Sequence, residues 1–187
     1  MRFFRDGSIM AAVFLLLQHS PVSGQANEKK FSFLENAGKK EWCAFSNEAA
    51  WKAAVQAAGS MRVGTLVYSS DHLSQIYVTE QGESGDWTVY DHYFFDDHGQ
   101  LVELSRMINV LPGDRSVLQL FSISNGKAEK TETTAKQLST GKPLTAPKRI
   151  WFPKLPIETS AKAFPFSALF EIRGIKTLSC VRETEVK

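Results

Sequence analysis

The sequence predicts a single α+β domain in which an N-terminal helix is followed by a mostly antiparallel β-meander of about six to eight strands. Three observations predict it. The segment 48–58 is rich in alanine and repeats Trp51, Ala54, Val55 and Ala58 at helical spacing. After Gly59 the period changes from helical to alternating, and β-branched and aromatic residues dominate. Turn residues then recur at short intervals, with no fixed repeat and no second composition class.

Taken in order, residues 27–40 are polar and read as a flexible lead-in, and residues 41–187 as the domain. Ser46 or Asn47 is placed to cap the helix, and Gly59 to stop it. Strands are expected at 63–69, 73–80, 87–96, 100–110, 116–124 and 128–134, the last of them a polar edge. Asn125-Gly126 is a strong hairpin signal between two of these strands. A polar loop is expected near 135–148, where Gly141, Pro143 and Pro147 interrupt any pattern. Two apolar runs, 164–172 and 175–181, read as a terminal hairpin around Gly174.

Ahead of the domain lies a three-zone leader over residues 1–26. Arg2 and Arg5 precede an apolar run from Ile9 to Leu17, and Gln18-His19-Ser20-Pro21 then breaks it. Small residues around Gly24 and Ala26 suit a signal peptidase, so the chain is expected to be cut near one of them. The run is much shorter than the roughly 20 residues a bilayer span needs, and no later segment is apolar enough. The expectation is a secreted or periplasmic soluble protein with no stable membrane anchor after cleavage. In such a compartment the two cysteines, Cys43 and Cys180, are expected to form a disulfide. A nucleophilic Cys43 with His72 or His92 is the competing use.

Composition narrows the function class. A formal net charge of +2 with scattered lysines gives no footprint for nucleic acid. Hydrophobic residues at 43% and charged residues at 22% are ordinary for a globular domain with its own core. No Gly-x-Ser-x-Gly elbow and no phosphate-binding glycine loop occurs, so no catalytic residue and no cofactor is assigned. Asp91-His92-Tyr93-Phe94-Phe95-Asp96-Asp97-His98 resembles a metal-ligand cluster, but strand alternation splits Asp91 from His92. Asp96 to Gly99 fits a type I turn closed by a left-handed glycine, and no metal site is assigned. Of the four tryptophans, Trp51 and Trp87 suit a core, while Trp151-Phe152 reads as a contact pair.

One feature hints at a ligand face. Val102, Leu104, Ile108 and Val110 form an apolar row that Arg106 interrupts. An unpaired guanidinium on such a face is costly. If Gly99 closes the turn with Asp96 opposite Gln100, Tyr90 faces Arg106 and His92 faces Leu104, which gathers Tyr90, His92 and Arg106 on one face. A two-residue turn at His98-Gly99 would instead set Asp91 opposite Arg106 as an ion pair. The first register is preferred from the turn spacing. The trio would then hold an anionic or carbonyl-bearing ligand; otherwise Arg106 is a buried structural residue. The functional expectation is a non-enzymatic domain that binds a small molecule or an envelope protein. The alternative is a hydrolase-like enzyme whose site is assembled only in the fold.

Overall fold

A computed structural model describes residues 28–69, 72–147, 156–171 and 178–182. The chain is mostly β, which corrects the expected N-terminal helix and six-to-eight-strand meander. Among the described residues, ten strands form one antiparallel sheet: β1 (Glu28–Asn36), β2 (Glu41–Phe45), β3 (Arg62–Ser69), β4 (His72–Gln81), β5 (Trp87–Phe95), β6 (Leu101–Val110), β7 (Arg115–Ser124), β8 (Lys127–Gln137), β9 (Pro143–Leu144) and β10 (Leu178–Arg182). Their order is β10-β2-β1-β3-β4-β5-β6-β7-β8-β9. The helix α1 (Glu48–Ala58) follows two strands and is not N-terminal. The supposed lead-in at 27–40 supplies β1 and the turn after it. Its alternation of Phe31 and Phe33 with polar residues lays both rings on one face. The charged start Glu28-Lys29-Lys30 hides that pattern in the sequence.

The meander itself is as expected. From β3 to β8 each strand pairs with its neighbour in the chain. Asn125 and Gly126 both take left-handed backbone angles, as a two-residue hairpin turn requires. The helix is also as expected: the Asn47 side chain accepts from Ala50 N–H at 3.1 Å, and Gly59 ends it at φ 56°. The polar excursion near 135–148 is shorter than expected, because β8 runs on to Gln137 and β9 pairs back onto Ala135 and Lys136.

The expected terminal hairpin does not form. Residues 164–171 contain a 3-10 turn at Ser167–Glu171, preceded by another at Ala161–Ala163, and β10 pairs with β2. Pro165 lacks the N–H a strand ladder needs. The run is apolar for a different reason. Phe164, Phe166 and Leu169 are fully buried against the inner sheet face, with Phe33, Trp42, Leu66, Ile76, Tyr93 and Leu104 beneath them. Phe166 lies 4.6 Å from the Phe33 ring and 4.8 Å from the Trp42 ring, centroid to centroid. The other face carries a smaller core. Leu34, Cys43 and Phe45 pack there against Trp51 of α1, whose indole N–H donates to the Phe33 carbonyl at 3.1 Å.

Cys43 and Cys180 stand directly opposite each other on β2 and β10 and form the disulfide. It fastens the edge strand β10 to the sheet, across a sequence separation of 137 residues. No helix among the described residues is long and apolar enough to cross a membrane. The leader at 1–26 and the Trp151-Phe152 pair lie outside the described residues.

Candidate functional site: a charged cavity on the inner sheet face

The hairpin β5–β6 decides where Arg106 points. Its turn forms as the sequence suggests: Gly99 N–H donates to the Asp96 carbonyl at 2.9 Å, Asp96 N–H donates to the Gln100 carbonyl at 2.9 Å, and Gly99 has φ 73°. Phe95 accordingly faces Leu101. One step further the pairing shifts, because Phe94 faces Glu103 and not Val102. Val102 is the extra residue of a β-bulge and is exposed beside the exposed Glu103. The preferred register, with Tyr90 opposite Arg106, is therefore corrected. Asp91 stands opposite Arg106, His92 opposite Ser105 and Tyr90 opposite Met107. The turn has the expected form, and a one-residue bulge beyond it moves every later pair by one.

The consequence is that Tyr90, His92 and Arg106 do not share a face. Arg106 lies inward with Leu104 and Ile108. Its Nε and one terminal nitrogen donate to the two Asp91 oxygens at 2.7 and 2.6 Å, and that nitrogen also donates to the Pro156 carbonyl at 2.9 Å. Such bidentate geometry at these lengths is that of a charged pair. Burial raises the Asp91 carboxyl, and the bonds from Arg106 pull against it. For Arg106, burial pulls downward and the Asp91 carboxylate outweighs it, so the guanidinium is held all the more firmly charged.

His92 and Tyr90 lie on the outer face. The His92 ring stacks on Tyr77 at 3.9 Å and meets Phe94 at 3.8 Å. Its Nε2 is 3.0 Å from Gln75 Oε1, which also accepts from the Tyr77 hydroxyl at 2.7 Å. An oxygen that already accepts one bond is best met by an N–H, so Nε2 carries the proton. Burial lowers the His92 pKa to about 4. The rest of the supposed metal cluster is taken up by the turn, where the Asp96 carboxylate accepts from His98 N–H at 2.9 Å and Gln100 N–H at 2.8 Å. Among the described residues three metal-type ligands also converge at Glu41, Cys43 and Cys180, with both sulfurs bonded to each other.

Arg106 belongs to a larger arrangement that the sequence reading missed. A cavity of about 250 Å³ lies between the inner face and the segment 156–166. Its floor is a charged band across β3 to β6, made by Arg62, Glu80, Asp91 and Arg106, with Tyr93 beside them. Arg62 donates to Glu80 at 2.8 Å, stands 3.8 Å from Glu35, and lies over the Trp42 ring at 5.8 Å. Its cover is apolar: Ala163, Phe164, Pro165 and Phe166 line it. Glu158 also lines the cavity, and burial raises its carboxyl, with Arg62 and Arg106 acting in the opposite direction. The Tyr93 hydroxyl is pushed far up, by burial first and then by Asp91, and stays protonated.

Arg62 and Glu80 carried the same signal as Arg106. Arg62 continues the inward row of Gly64 and Leu66, and Glu80 that of Ile76 and Val78. Charged residues in phase with apolar rows on three strands mark one polar site on an apolar face. Glu158 carried no such signal, since only the tertiary fold lays its segment over the sheet. No protein-family model, no curated protein and no solved structure matches the chain.

Proposed function

We propose that this is an exported, non-enzymatic domain that takes up a small molecule in the inner-face cavity. The observation that carries the reading is the cavity's construction. An apolar cover of phenylalanine and proline closes over a floor of convergent charged groups, in a space of about 250 Å³. Small-molecule sites combine an apolar enclosure with a few fixed polar groups in this way. The volume lies a little below the usual range of roughly 300–1,000 Å³, which suits a small metabolite better than a polymer. Export is supported by the order of basic, apolar and small-residue zones at 1–26, and by the disulfide.

A neutral aromatic alcohol, 2-phenylethanol, tests the cavity. It should raise the melting temperature of the oxidised protein and shift the resonances of Tyr93, Phe164 and Phe166. Ala163→Trp, which puts a large side chain at the cavity wall, should abolish both effects while the circular dichroism stays that of the parent. Equal response in parent and variant would place binding elsewhere. N-terminal sequencing of cell-exported material tests the leader: a start near Gln25 or Asn27 is expected, and an intact Met1 retained with membranes would refute export.

A further inference from the structure

Among the described residues, the charges that line the cavity are not matched one to one, and the mismatch has a sign. Three carboxylates, Glu80, Asp91 and Glu158, line it with two guanidiniums, Arg62 and Arg106. Both guanidiniums are committed to carboxylates of the sheet. Arg106 is held by Asp91 through two short bonds, and Arg62 by Glu80, with Glu35 close by. Glu158 is left over. Among the described residues its carboxylate makes no hydrogen bond and no ion pair within 4.0 Å, while it is half-buried at the cavity wall. Its charge is felt at Arg62 and Arg106, yet neither guanidinium pairs with it. Burial raises its carboxyl, and the attraction of Arg62 and Arg106 acts against that push.

Resting on the ligand-binding reading above, we propose that the cavity takes a small organic cation: an ammonium group on an apolar body. The ammonium sits against the Glu158 carboxylate and the body against Phe164 and Phe166. An anion would have to share each guanidinium with the carboxylate that already holds it and would stand beside the Glu158, Glu80 and Asp91 carboxylates, which is unfavourable. An ammonium disturbs neither pair, and it gains a charge-assisted bond in a partly desolvated space. A divalent cation is a poorer match, since it needs about six oxygen ligands and the other carboxylates are already engaged.

Three probes of nearly one shape separate the possibilities: phenethylamine, 2-phenylethanol and phenylacetate, titrated by calorimetry into the oxidised protein at neutral pH and low salt. Phenethylamine should bind at least about tenfold more tightly than 2-phenylethanol, the gain expected of one charge-assisted bond. Glu158→Gln should bring the amine to within about twofold of the alcohol and leave alcohol binding unchanged. Glu158→Lys should invert the order and favour phenylacetate. Melting temperature and circular dichroism of each variant report whether it has folded, and the charge-reversed variant supplies a gain of binding that unfolding cannot mimic. Tightest binding of phenylacetate to the parent would overturn the proposal, as would an amine preference that survives Glu158→Gln. Binding of the alcohol with no amine preference overturns the cation alone. Failure of all three probes overturns the ligand-binding reading as well.

Discussion

Removing Arg106 tests how the inner face is held together. The Asp91–Arg106 pair is almost wholly buried, at 9% and 6% exposure, and is joined by two bonds of 2.6 and 2.7 Å. Breaking one side of such a pair costs about 3–5 kcal/mol, because the remaining charge is buried without compensation. Arg106→Met also leaves the Pro156 carbonyl without its donor, worth about 1 kcal/mol more. Against a total stability of roughly 5–15 kcal/mol, either Arg106→Met or Asp91→Leu removes a large share. The double variant replaces the pair with apolar side chains under the same cover. It should lose about 1–2 kcal/mol or less, since apolar replacement of a buried pair is often near neutral. The coupling energy in the cycle should therefore exceed about 2 kcal/mol.

Urea unfolding of all four proteins measures that coupling. An internal control comes from pH. In Arg106→Met the Asp91 carboxyl keeps the upward push of burial and loses the opposing bonds. A carboxyl raised in the folded state contributes stability that is fully present below its unfolded pKa and lost as pH rises through the folded value. The variant should thus regain stability on acidification. Additive single effects, or single losses under about 1 kcal/mol, would show that the pair does not hold the face.

Three further outcomes follow from other parts of the fold. His92 has its pKa depressed to about 4, so its contribution is present above the unfolded value near 6.5 and is lost as pH falls towards 4; up to about 3 kcal/mol is at stake, reduced by partial exposure, and His92→Phe should remove this acid-dependent loss in urea unfolding between pH 7 and pH 4. Gly64 lies under the Phe33 ring and against the Tyr77 carbonyl, both of which a Cβ would strike; Gly64→Ala should cost about 1–3 kcal/mol or more by overpacking, and an unchanged melting temperature would contradict this packing. Replacing both cysteines by alanine opens a loop of 137 residues, worth about 5 kcal/mol in the chain-entropy account, and amide exchange should rise first in β10 and β2; uniform protection across the sheet would show that β10 is held by its other contacts.

Some of this protein is written in short stretches of its sequence, and those parts were legible. The Asn47 cap and the Gly59 stop bound α1, because both act on backbone groups within a few residues. The alternation from 63 onwards yields the meander, because side-chain period and strand geometry are the same fact. The turn at Asp96–Gly99 and the hairpin at Asn125-Gly126 follow from residues that tolerate left-handed backbone angles. The partner of Cys43 followed from there being only one other cysteine. The rest depended on distant contacts. β1 escaped notice because its charged start obscures two inward rings, and β10 pairs with β2 from the far end of the chain. The apolar run at 164–172 reads as a strand in the sequence, but its described part covers the inner sheet face, and Pro165 cannot serve in a ladder. Above all, a single extra residue at Val102 moved Arg106 from the side of Tyr90 to that of Asp91. Whether a strand bulges depends on how both its faces pack against residues far away in the chain. Local pattern could therefore show that Arg106 required a partner on an apolar face, and only the assembled sheet decided which one it has.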